Sequence, residues 1–301
     1  MANLSLPIGL AVLLVLGLIY AAVADWRRRE VSDRVWQVLA GVGTVVGAFA
    51  FGSAGVLPLA LWLVAGALVL EHLFPWDEGL ERWRAWAPGV VELAVYAAVV
   101  GGFLFAALRY GIGPSTVTSA ALAVVVSVIL ARGLFEIGIL YGGADAKALM
   151  VAGLLVPMFT VPYLPVPVTA QAVLVYYPYS LNLLMDAAVA AMVVPLAIAV
   201  RNLRAGQFEF PRGFTGYRIP VAELPDSFVW LKDPLAHPEP EEAETSEEDR
   251  AVRVRQAKEL AAQGVQEVWV TPQLPFIVLL AVGAVLGLLV GNVVFDLAAL
   301  L

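Results

Sequence analysis

The sequence predicts an all-α polytopic membrane protein of about eight transmembrane helices with a small cytoplasmic insert, and three observations predict it. Hydrophobic residues make up 61% of the 301 positions and charged residues only 14%, against about 45–50% and about 25% in an ordinary soluble domain. Apolar runs of about 20 residues, the length a spanning helix needs, recur along the chain. The loops between them are alternately basic and nearly free of Lys and Arg, as expected of helices that cross a bilayer in turn.

The apolar runs lie near 5–24, 35–51, 56–74, 88–109, 116–140, 146–163, 180–200 and 274–299. In the first, the positive residues follow the apolar stretch and no small-residue cleavage site precedes them, so a permanent spanning helix is expected, not a signal peptide. The second and third are divided by Gly52, Ser53, Ala54 and Gly55, a short turn. The run from Leu164 to Tyr179 carries Pro165, Pro167 and Pro178 and reads as an extracytoplasmic loop or shallow re-entrant segment. Residues 1–200 therefore read as a membrane region of seven helices, 201–273 as a soluble segment, and 274–301 as a C-terminal transmembrane helix.

Lys and Arg set the expected orientation. Arg27, Arg28, Arg29 and Arg34 follow the first run, Arg82 and Arg84 the third, Lys147 the fifth, and Arg201, Arg204 and Arg212 the seventh. The opposite loops hold only Arg109. This places the N-terminus outside the plasma membrane, and the basic loops with residues 201–273 in the cytoplasm.

The soluble segment holds 13 acidic and 9 basic residues, a net charge of −4. Pro238 to Asp249 reads as a disordered acidic linker. Ser246 and Asp249 resemble a capping box. A short helix is expected to about Gln263 with Gly264 as its C-cap, then a strand over Val265–Val270. The segment reads as too small and too polar for a substantial core. The chain has no cysteine and only His72 and His237, so no disulfide, thiol nucleophile, dedicated metal site or other cofactor is expected. The net charge of −7 argues against nucleic acid as a partner. The bilayer itself is the expected surroundings, and no phosphate-binding glycine loop or repeat stands out.

Acidic residues at the ends of spanning helices are expensive and therefore informative. Asp25 ends the first helix within Ala24-Asp25-Trp26-Arg27-Arg28-Arg29. Asp145 opens the sixth within Gly142-Gly143-Ala144-Asp145-Ala146-Lys147. Four expected spans separate them, an even number, so both carboxylates return to the cytoplasmic face. Two carboxylates in a partly desolvated site split their protonation states. One then activates water as general base while the other protonates the leaving amine. Gly142 and Gly143 permit close backbone approach to a substrate.

These residues resemble the archaeal prepilin and preflagellin peptidases, relatives of the bacterial type IV prepilin peptidases, which pair an Asp after their first helix with a Gly-x-Gly-Asp motif. Here the first element is Asp25, trailed by Arg27, Val31, Ser32, Asp33 and Trp36, and the second is Gly142-Gly143-Ala144-Asp145 with Lys147 following. Val268-Trp269-Val270-Thr271-Pro272 leading into Leu274-Pro275-Phe276 extends the likeness, which covers about two thirds of the chain. The resemblance implies catalytic roles for Asp25 and Asp145, and as substrates prepilin-like or preflagellin-like precursors with a short basic leader. Ala144 replaces the motif's second glycine, and about eight spans exceed the family's usual six or so. The cysteine-rich insert linked to N-methylation in bacterial relatives is missing, so peptidase activity alone is expected.

Simpler readings stand beside these. Asp25 also suits the polar end of a helix, and Asp145 an N-cap. Arg27–Arg29 suit topology signals, and Ser32 or Asp33 a cap of the second helix. Lys147 suits either a partner of Asp145 or a membrane anchor. Arg132 and Glu136 are spaced for an i, i+4 ion pair, Asp186 and Glu92 suit either polar packing or a functional, non-catalytic role within spans, and Trp76, Trp83, Trp86, Tyr176 and Tyr177 suit interfacial anchors. Asp77, Glu78 and Glu81 form an acidic cytoplasmic loop that suits either a solvated turn or attraction of a basic leader. Two rival functions remain. Intramembrane proteases of the presenilin and signal-peptide-peptidase type pair the motif with Tyr-Asp and Pro-Ala-Leu, but Ala24 precedes Asp25 and no Pro-Ala-Leu occurs. An ion-coupled transporter would show inverted repeats and helices broken at mid-membrane.

Overall fold

The computed structural model describes residues 5–52, 55–73, 117–140, 142–158, 178–232 and 246–298, with scattered positions between 97 and 109. Most of the fourth expected span, the proline-bearing run after Leu164, Glu92, the acidic loop at Asp77–Glu81, the five aromatic anchors, His237 and most of the acidic linker lie outside the described residues.

The described helices are α1 (Ser5–Arg28), α2 (Asp33–Gly52), α3 (Val56–Leu73), α4 (Val117–Glu136), α5 (Gly143–Leu155), α6 (Tyr179–Ala191), α7 (Val193–Arg204), α8 (Ser246–Ala262), α9 (Phe276–Leu289) and α10 (Val293–Ala298). Three strands, β1 (Tyr217–Pro220), β2 (Val229–Leu231) and β3 (Glu267–Pro272), lie in the order β1-β3-β2. Contacts divide the chain into two compact units. Met1–Val23, Val31–Ala187 and Ile277–Leu301 form the first, and Ala24–Glu30 with Ala188–Phe276 the second.

The first unit is helical. Among the described residues four stretches are long and apolar enough to cross a membrane: Ile8–Arg28, Val56–Leu73, Ser119–Glu136 and Tyr179–Arg204. α1 shows the pattern well. Ala11, Leu14, Leu18 and Ala21 form a buried stripe at helical spacing, while Ile8, Val12, Leu16, Ile19 and Val23 stay exposed along the opposite face. A helix apolar on its inner and outer faces alike is suited to lipid, because a soluble helix turns a polar face outward.

Small residues bring the helices close. A Cβ on Gly47 of α2 would run into the ring of Trp62 on α3, whose indole N–H donates to the Thr44 carbonyl at 3.0 Å. On Gly283 of α9 it would meet the α6 backbone, 2.8 Å from the Leu183 carbonyl. Such glycines let apolar helices pack where lipid supplies no hydrophobic drive. Buried hydroxyls find partners: Ser127 on α4 donates to the Ala123 carbonyl and meets the Ser180 hydroxyl of α6, both at 2.7 Å. The expected Arg132–Glu136 pair is present at 3.7 Å, and Arg132 also lies 3.2 Å from the His72 ring nitrogen.

Three expected spans differ in their described form. The seventh is two helices meeting at Met192. Pro195 has no N–H to give the Ala191 carbonyl, which interrupts the ladder there. The sixth begins at Gly143 and its helix ends at Leu155, just before Pro157. The last is broken: α9 has 14 residues, about 21 Å of helix, short of the roughly 30 Å hydrocarbon core. Gly291 takes φ +112°, and Asn292 starts α10 by accepting from the Phe295 N–H at 3.0 Å. Asp186, fully buried in α6, accepts from the Val293 N–H and from the Asn182 amide, each at 3.0 Å. Asp186 therefore satisfies polar groups that the break frees, which is the polar-packing reading of that residue.

The second unit has a core, where the sequence predicted none of substance. Ile219, Val221, Leu224 and Val229 pack with Ala257 and Leu260 of α8 and with Val268 and Val270 of β3. β3 is the central strand, antiparallel to both neighbours, with Tyr217 opposite Val270 and Val229 opposite Pro272. α8 begins at Ser246 and stops as expected. Gly264 takes φ +77°, and the Val265 N–H returns to the Leu260 carbonyl at 3.0 Å, a glycine-terminated helix end. Buried Asn202 ties α7 to the sheet's entry loop, donating to the Gly213 and Gly216 carbonyls at 2.9 and 2.7 Å.

Candidate active site

Asp25 occupies the last turn of α1 and is partly buried. That turn closes when the Arg29 N–H donates to the Asp25 carbonyl at 2.9 Å. Among the described residues Arg29 is the one non-glycine with positive φ, at 59°, a conformation uncommon for residues with a Cβ. Its Nη2 donates to the Gln273 carbonyl at 2.8 Å, and its guanidinium lies 4.8 Å from the Phe228 ring centre. Burial pushes the Arg29 pKa below its ordinary value; the Asp25 charge opposes that shift and the Arg253 charge adds to it. By sequence, Arg27, Arg28 and Arg29 read alike as topology signals. Arg27 and Arg28 are exposed, while Arg29 is drawn into the protein.

Asp145 lies in the first turn of α5, also partly buried. It is not the N-cap. The cap is Gly142, with extended backbone and no side-chain capping bond, and the Asp145 N–H donates to the Gly142 carbonyl at 3.0 Å. A carboxylate in the first turn faces the positive end of the helix dipole, which favours negative charge. Gly142 is extended and so needs no glycine for its backbone. A Cβ there would stand 2.7 Å from Asp145 Oδ2, so a larger residue would displace that carboxylate. Gly143 is exposed, and a Cβ on it would meet nothing within 4 Å. Ala144 sits inside the helix between Gly143 and Asp145. Downstream, Ala146 and every residue from Ala148 to Leu155 are buried, which holds α5 as a rod in the first unit.

Lys147 pairs with Asp33 at the start of α2, Nζ to Oδ1 at 2.6 Å. The pair joins two helices of the first unit and gives Asp33 a partner that the spacing of the two residues in sequence does not announce. Both groups are partly exposed, so the pair contributes at most about 1 kcal/mol. The structure thus brings Gly142, Ala144, Asp145, Lys147 and Asp33 together in the first unit, and Asp25 with Arg29 in the second.

An open groove along α7, lined by Val193, Leu196, Val200 and Arg201 among others, contains neither aspartate. Among the described residues no three His, Cys, Asp or Glu side chains gather in a metal-holding group. No protein-family model matches the chain, and no curated protein matches it.

Proposed function

We propose that the chain is a membrane aspartyl endopeptidase of the prepilin/preflagellin type, with Asp25 and Asp145 as its catalytic carboxylates. It removes a short basic leader from prepilin-like or preflagellin-like precursors at the cytoplasmic face of the plasma membrane. In this reading about eight helices span the bilayer, the N-terminus is outside, and residues 201–273 are cytoplasmic. One observation supports it: Asp25 lies in the last turn of the long apolar helix α1 and Asp145 in the first turn of the 13-residue α5, and the sequence expects an even number of spans between them. Both carboxylates are partly buried, a setting that supplies water and still lets two like charges separate their protonation states.

The chemistry is that of a dyad sharing one proton. The ionised carboxylate takes a proton from water as the water oxygen attacks the scissile carbonyl carbon. The protonated partner then gives its proton to the amide nitrogen, the C–N bond breaks, and a carboxylic acid and an amine leave. The room beside Gly142 keeps the Asp145 carboxylate unobstructed on that side. The test is to incubate detergent-solubilised protein with a peptide carrying a short basic leader before a hydrophobic segment. A single product cut at their junction is expected, in the presence of EDTA as in its absence. No cleavage, or loss with EDTA and return with a divalent ion, contradicts the reading.

A second reading has an observation in its favour. The broken α9–α10 segment set against buried Asp186 is the kind of discontinuity that ion-coupled transporters use. The two readings part at Asp186→Asn, which leaves cleavage intact in a peptidase and abolishes ion-coupled uptake in a transporter.

A further inference from the structure

Of the three arginines after Asp25, only Arg29 turns inward, and the groups that receive it are built into the second unit. The Gln273 carbonyl that accepts from Arg29 and the Phe228 ring beneath its guanidinium are themselves joined, since the Gln273 N–H donates to the Phe228 carbonyl at 2.9 Å. They extend the β2–β3 ladder by one step beyond the Val229–Pro272 pair. Arg253 of α8, almost fully buried, reaches the same ring at 5.6 Å. The left-handed backbone at Arg29 matches this arrangement, because an uncommon conformation persists where the surroundings over-determine it. The segment Ala24–Glu30 accordingly falls in the same compact unit as the sheet. One turn of backbone links the anchor to the Asp25 carbonyl, and the guanidinium charge acts on the Asp25 carboxylate.

We propose that Arg29 is a positioning residue for Asp25: its clamp on Gln273 and Phe228 makes the soluble insert the support that fixes the first catalytic aspartate. The proposal rests on the peptidase reading. It gives residues 201–273 a role in catalysis without placing any of their side chains against the substrate. An arginine suits the task because its planar group stacks on a ring and donates sideways at once, which a lysine ammonium cannot do.

The test uses the full chain in detergent, the leader-bearing peptide, and the variants Arg29→Gln, Arg29→Lys and Asp25→Asn. Arg29→Gln is expected to lower kcat by about tenfold or more with KM within about twofold, since misplacement of a reacting group falls on turnover. Removing the positive charge favours protonation of nearby carboxylates, so both limbs of its pH–rate profile move to higher pH. Arg29→Lys keeps the charge but loses the fork, so kcat falls while the profile stays in place. If Arg29→Gln does not accumulate, Phe228→Leu removes the ring, keeps the charge, and is expected to reproduce the Arg29→Lys result. Normal kcat and an unshifted profile in Arg29→Gln, or normal kcat in Phe228→Leu, beside an inactive Asp25→Asn, overturn the positioning role and leave the peptidase reading standing. An active Asp25→Asn overturns both.

Discussion

Asp25 and Asp145 are held by different means. Asp145 stands in the first turn of a 13-residue helix whose interior is buried on nearly every side, beside a glycine that leaves room for its carboxylate. Local packing holds its helix, and Gly142 leaves its carboxylate free of a neighbouring methyl group. Asp25 stands at the far end of a 24-residue helix, where the chain leaves the apolar run and enters a basic one. The turn after it is held through Arg29 by Phe228 and by Gln273, which lies 244 positions further along the chain, just past the end of the central strand β3. The contrast shows how a membrane-type chain fixes a polar group. Around α5 buried neighbours surround the helix; at the end of α1 residues of the insert hold the turn that follows. The two ends should fail differently when disturbed, one by adding atoms and the other by cutting a tie.

After the aspartates themselves, the largest effect is expected at Gly142. An alanine methyl there would lie 2.7 Å from Asp145 Oδ2 and 3.3 Å from Cγ. The atoms that must move are the end of a side chain, so the fold tolerates the change. The extended backbone at Gly142 suits alanine, so stability should hold or rise by about 0.4–1 kcal/mol through the unfolded state. Turnover should fall at least about tenfold because the carboxylate is displaced. Melting temperature and kcat measured on the one variant check this. A fall in both together would mean that Gly142 serves the fold and not the carboxylate.

A smaller effect is expected at Ala144, within the first turn of α5. Ala144→Gly should cost up to about 1 kcal/mol of helix stability, and less than that so close to the helix start. If productive closure of the dyad needs Asp145 to move, turnover rises modestly as stability falls. A destabilised variant with no gain in turnover would show that the α5 start is already in its working form. That result would sharpen the contrast with Asp25.

Much of the architecture was legible because apolar runs are long and continuous. α1, α2 and α3 fall where those runs lie, with α1 extending one turn further to include Asp25. Gly264 was legible from helix-end chemistry, and the strand expected over Val265–Val270 is present two residues later, at Glu267–Pro272. The break between α9 and α10 was not legible. Val290, Val293 and Val294 keep the run apolar, and only the Gly291-Asn292 pair marks it. The core of the insert was missed because strands of three to six residues give too little alternation, and α8 offers the core only Ala257 and Leu260. At the candidate site, the places of Asp25 near a helix end and Asp145 near a helix start were readable from the sequence, whereas the closeness of Gly142 to the Asp145 carboxylate was not. The difference between Arg27, Arg28 and Arg29 was not, because it depends on a ring and a carbonyl brought from distant parts of the insert.

Whether Asp25 and Asp145 act as one catalytic unit is tested most directly by single-turnover cleavage of the leader-bearing peptide. The comparison is between the wild-type chain, Asp25→Asn, Asp145→Asn and the double variant, each confirmed folded by its melting temperature. Groups that act together lose their effect together. Each single variant is therefore predicted to reduce the rate by about a thousandfold or more, with the double variant scarcely slower than either. Retention of most activity by either single variant, or a double variant slower by the product of the two single losses, would contradict it.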